Sequence, residues 1–81
     1  MNVGTKVKLK KFNGNYDAPA NSDPAGNYWL LIGKTGTVVK PKNNNSRVLV
    51  QFGENVRDLG LHCHNEIANS LLILTNDLEA I

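Results

Sequence analysis

Between Arg47 and Phe52 the chain reads RVLVQF, with Val48, Val50 and Phe52 at every second position. Side chains of an extended strand alternate between faces, so this spacing puts three large apolar groups on one side, where a helix would scatter them. The same period of two recurs in Val3 to Phe12, VGTKVKLKKF. There Val7 and Leu9 face one way and Lys6, Lys8 and Lys10 the other, as in a half-buried strand with a charged outer face.

What separates the runs is as informative as the runs themselves. Residues 13–27, NGNYDAPANSDPAGN, hold Pro19, Pro24, Gly14 and Gly26, which no regular helix or strand tolerates together. This predicts a long loop after the first strand. Trp29 to Lys40, WLLIGKTGTVVK, is apolar and β-branched but interrupted by Gly33 and Gly36, which suits a strand that bends sharply. Pro41 and the polar KNNNS segment then turn the chain into Arg47 to Phe52. After Gly53-Glu54-Asn55, Leu59, Leu61 and Cys63 alternate with Gly60, His62 and His64, which predicts a hairpin between the two runs. In the last stretch Ile67, Leu71, Leu74 and Leu78 fall at helical spacing, so a C-terminal helix and an α+β fold are an alternative. The turn-forming pairs Asn69-Ser70 and Asn76-Asp77, with β-branched Ile73 and Thr75, favour a strand at Ser70 to Thr75 and another at Glu79 to Ile81.

The expected fold is therefore all-β, a single domain over residues 1–81 with five or six short strands. A chain of 81 residues has room for one small core and little for a catalytic cleft. Its single cysteine, Cys63, has no partner for an internal disulfide, and the charged start MNVGTKVKLKK lacks the apolar run of a signal peptide. A cytoplasmic protein is expected, with no apolar run of the roughly 18 residues that span a bilayer. Charge is uneven: residues 1–47 carry seven lysines and one arginine against two aspartates, a net +6, and the remainder carries −4.

Local stretches resemble known small barrels. GTKVKLKK followed by GKTGTVVK resembles the first two strands of the KOW motif of ribosomal and transcription-elongation proteins, although residues 13–27 separate two strands that the motif keeps close. YW ahead of GTVV, then RVLVQF and NDLEAI, resembles the small barrel subunits of photosystem I, which dock other proteins. Both resemblances imply an SH3-like barrel with a long loop after its first strand. Folds of this kind host unrelated functions, so the site must be argued from its own residues.

Three candidate sites follow. The long loop and its surroundings carry Tyr16, Tyr28 and Trp29, flat apolar groups of the type that anchors protein and peptide interfaces. The basic half carries Lys6, Lys8, Lys10, Lys11, Lys34, Lys40, Lys42 and Arg47, which as one continuous face would bind nucleic acid in the manner the KOW resemblance implies. The third is His62 and His64. On a strand they share a face about 7 Å apart and form a two-point metal chelate or redox site lacking a third ligand, while Cys63 faces away. That opposition also argues against a Cys-His nucleophile, which needs sulfur and imidazole within hydrogen-bond reach. GKTG at residues 33–36 echoes a phosphate-binding loop but has Tyr28 in place of the leading glycine and a β-branched run in place of a helix. The sequence thus points to a non-catalytic binding module without a cofactor, engaging a protein or peptide through the long loop. Nucleic-acid binding is the second expectation and a metal or redox site the third. The oligomeric state is not encoded in any of these features.

Overall fold

The computed structural model describes residues 1–81. Five strands, β1 (Lys6–Leu9), β2 (Thr35–Lys40), β3 (Arg47–Phe52), β4 (Ser70–Leu74) and β5 (Leu78–Ala80), form one antiparallel sheet in the order β4-β3-β2-β1-β5. The only helical structure is four short 3-10 turns, at Pro24–Gly26, Tyr28–Leu31, Val56–Leu59 and Thr75–Asp77. The fold is all-β. No helix is long and apolar enough to cross a membrane.

The connection from β4 to β5 determines the shape. These strands lie at opposite ends of the hydrogen-bonded order, which in a flat sheet would set them about 19 Å apart at ~4.8 Å per neighbour. Only Thr75–Asp77 joins them, and three residues of 3-10 turn rise about 6 Å. The sheet therefore curls until its outer strands approach at that end, as in a small barrel.

Curling demands close contact between β2 and β3, and Gly36 permits it. A Cβ at this position would lie 2.6 Å from the Gln51 carbonyl oxygen and 2.8 Å from Val50 Cγ1. The registers Val7↔Gly36 and Gly36↔Phe52 put an inner row across three strands, and Lys6↔Thr37 and Thr37↔Gln51 put a polar row on the outside. Val7, Leu9, Val38, Val48, Val50, Phe52, Leu71, Ile73 and Leu78 meet inside, joined by Phe12, Leu31, Val56 and Leu61 from the loops.

Several boundaries differ from the sequence-based expectation. The first strand covers only Lys6–Leu9, and the run from Trp29 splits into a 3-10 turn and β2, because Gly33 takes φ 90° between them. The last strand begins at Leu78 rather than Glu79. The largest correction is the hairpin partner of β3, which is β4 and not the segment from Leu59 to Cys63. Asn55 accepts a hydrogen bond from the Arg57 amide, Asn69 accepts one from the Val56 amide, and Gly60 closes the Val56–Leu59 turn in the left-handed region. These side-chain bonds divert the chain, so the alternation at Leu59, Leu61 and Cys63 is not that of a strand. The C-terminal helix also fails to form. Pairing with β3 places Leu71 and Ile73 beside Val50 and Val48, burying both in a way the helical spacing does not.

Candidate functional site

The long loop from Lys10 to Lys34 is closed by aromatic packing. Phe12, 7% exposed, lies edge-on to Trp29 with ring centroids 5.0 Å apart and tilted against Tyr28 at 5.6 Å. Such pairs add about 0.5–1.5 kcal/mol beyond the area they bury. Phe12 and Asn15 exchange backbone bonds of 2.9 and 3.0 Å around a tight turn in which Asn13 and Gly14 take positive φ. The Gly14 amide donates to the buried carboxylate of Asp77 at 3.2 Å, tying this turn to the β4–β5 junction. The indole N–H of Trp29 and Oδ1 of Asn27 are shut away without a partner.

The three aromatic candidates therefore have different roles. Tyr28 and Trp29 are half-buried and pack on the core, whereas Tyr16 is 70% exposed and makes no aromatic contact. Tyr28 donates its hydroxyl to the His62 carbonyl at 2.7 Å, and the His62 amide donates to the Ala25 carbonyl at 3.0 Å. These two bonds lock the long loop to the segment after Gly60. Burial, helped by the nearby Cys63 thiolate, pushes the Tyr28 hydroxyl above its ordinary value.

The cations are dispersed. Lys6, Lys8, Lys10, Lys40 and Lys42 are exposed, and Lys11, Lys34 and Arg47 are half-buried. Lys6 donates to Thr37 Oγ1 at 2.8 Å, Lys8 stands across from Glu79, and Lys34 lies 3.7 Å from Glu54. Arg47 has no carboxylate partner. Its guanidinium donates from Nη1 to the Leu72 carbonyl at 3.1 Å and from Nη2 to Asn13 Oδ1 at 2.7 Å.

His62 and His64 lie in an irregular segment, both exposed, with rings 5.6 Å apart and nearly parallel at 6°. No three histidine, cysteine, aspartate or glutamate side chains converge to hold a metal ion. Cys63 turns inward, as alternation predicts, although the backbone is not a strand. Its sulfur faces the carbonyls of Ile67 and Ser70 at 3.5 Å and Asn65 at 3.8 Å, which can take the thiol hydrogen. Burial pushes this thiol up, but the Asn65, Ser70 and Asn69 amides with the Ser70 hydroxyl prevail and hold it below its ordinary value. No imidazole is among the sulfur's hydrogen-bond partners.

Sequence reasoning missed two features. Phe12 belongs to the aromatic cluster as its buried member, and the asparagines that shape both long connections act through side-chain bonds. Asn13 and Asn69 both adopt positive φ, a conformation asparagine accepts more readily than most residues, so their place beside turn-formers was the available signal. Comparison with protein families, characterised proteins and solved structures returned no match to this chain.

Proposed function

We propose that this chain is a non-catalytic binding module of SH3-like architecture that engages a protein or peptide partner beside the β1–β2 loop. The strand order, the 3-10 turn between the last two strands and the long first connection support the architecture. The observation that carries the binding reading is the division of labour among the loop aromatics. Phe12, Tyr28 and Trp29 hold the loop in place, and that leaves Tyr16 as a large amphipathic side chain on a supported surface. Tyrosine offers contact area at low conformational-entropy cost. A cytoplasmic setting accords with a lone cysteine that has no disulfide partner.

The nucleic-acid alternative is weaker, since Glu79 and Glu54 interrupt the lysines that a continuous basic face would require. Selection of a random-peptide display library on the immobilised protein tests the proposal. Enriched peptides should bind the wild type and lose at least about tenfold on Tyr16→Ala, as truncating an interface anchor does. Enrichment of nothing, or of peptides indifferent to Tyr16, would remove the reading.

A further inference from the structure

We propose that the free edge of β4 is a strand-pairing site for an extended peptide bearing a carboxylate, held closed by Arg47 until that carboxylate arrives. This deepens the proposed peptide-binding function and rests on it. Bonds from the Thr75 amide to Ser46 and from the Phe52 amide to Asn69 bracket the β3–β4 pair. Hydrogen-bonded pairs alternate in an antiparallel ladder, so Ile73 and Leu71 direct their amides and carbonyls at β3, and Ser70, Leu72 and Leu74 direct theirs away from it. Since β4 ends the sheet, those groups meet no further strand.

An open apolar edge is a template for another strand, and proteins usually blunt it with charge or proline. Ser70–Leu74, SLLIL, contains neither. Three side chains close it instead, one of them Cys63, whose sulfur lies 3.5 Å from the Ser70 carbonyl. Asn65 Nδ2 donates to the Ser70 carbonyl at 2.9 Å, and Arg47 reaches from β3 to the Leu72 carbonyl at 3.1 Å. The amides of Leu72 and Leu74 remain without a strand partner, and the Leu72 side chain is 42% exposed beside Leu49, its cross-strand neighbour on the outer face.

The chemistry of the latch selects the occupant. Both acceptors of Arg47, the Leu72 carbonyl and Asn13 Oδ1, are neutral. A carboxylate adds an opposite full charge and accepts two parallel bonds from the guanidinium in one bidentate pair, which two separate neutral acceptors do not offer. A peptide carrying aspartate or glutamate can therefore draw Arg47 away and take up the Leu72 carbonyl and amide with its own backbone. The position is continuous with the loop site. Asn13 precedes Tyr16 by three residues, no more than about 11 Å of chain.

The test uses two capped hexapeptides of alternating valine and threonine, one with a central glutamate and the other with glutamine, titrated into the isotopically labelled full chain. The glutamate peptide should shift the Leu72 and Leu74 amides and the Arg47 guanidinium, slow exchange of the two amides, and bind at least about fivefold more tightly than the glutamine peptide. Arg47→Gln should erase that preference, but the peptide comparison on the wild type stands without it. Equal binding of both peptides overturns the proposal, as does absence of binding or pairing of β4 with a second copy. Shifts confined to Tyr16 and its neighbours overturn it too, while leaving the loop reading intact.

Discussion

The two long connections of this domain are held by different physics. The β1–β2 loop is fixed by burial, through Phe12 against Tyr28 and Trp29. The β3–β4 connection also buries Val56 and Leu61, but its path is set by side chains bonding to backbone: Asn55 to Arg57, Asn69 to Val56, Asn65 and Ser70 around Cys63. Apolar packing is lost with its central ring, whereas each directional bond contributes its own increment of about 0.5–1.5 kcal/mol. The bonds between Tyr28, His62 and Ala25 join the two systems.

The largest expected effect lies in the first connection. Phe12→Ala should cost about 3 kcal/mol, because it leaves a cavity beneath both other rings, and denaturant unfolding should show this as a lower midpoint. If Phe12→Ala proved as mild as a surface change, the aromatic cluster would not be what holds the loop. In the second connection Asn69→Ala should cost about 2 kcal/mol, from a non-glycine side chain at φ 59° and the lost bond to the Val56 amide. Asn69→Gly relieves the backbone term and should recover about half of that loss. Equal losses in the two variants would mean that the bond alone matters.

Tyr28→Phe separates the connections without disturbing either interior and should cost about 1 kcal/mol for the hydroxyl bond to His62. Its pH dependence is sharper. Because the Tyr28 pKa is raised in the folded protein, its contribution is present below the ordinary tyrosine value of 10.0 and lost as pH rises through the raised one. The wild type should lose stability in that alkaline range, and Tyr28→Phe should lose less. The smallest effect concerns Cys63. Its lowered pKa gives thiolate in the folded chain below pH 9.0, so the alkylation rate should reach its half-point earlier than in the unfolded chain. A half-point at or above the unfolded value would show that burial outweighs the amides.

The same division explains what the sequence made legible. Alternation at Val48, Val50 and Phe52, and at Val7 and Leu9, identified strands whose inner faces are the core, because periodic burial leaves a periodic trace. Long-loop placement followed from Pro19 and Pro24. The path from Gly53 to Asn69 did not follow, since Leu59, Leu61 and Cys63 imitate a strand while the side-chain bonds of Asn55, Asn65 and Asn69 leave no periodic signature. For the site, the sequence grouped three aromatics of which only Tyr16 is exposed. Tyr28 and Trp29 were separable from it only in three dimensions, through Phe12. The Glu79 partner of Lys8 depends on β5 lying beside β1, and the Glu54 partner of Lys34 on β2 pairing with β3, neither of which sequence spacing conveys.

The proposed function is peptide binding beside the first loop of this barrel-like domain, as opposed to polyanion binding along its lysines. The most direct measurement is the affinity of one display-selected peptide for the wild type and Tyr16→Ala at low and high salt. The account predicts a loss of at least about tenfold on Tyr16→Ala and less than about threefold between the two salt conditions. Indifference to Tyr16 with a fall of a hundredfold or so in salt, as counterion release produces, would contradict it.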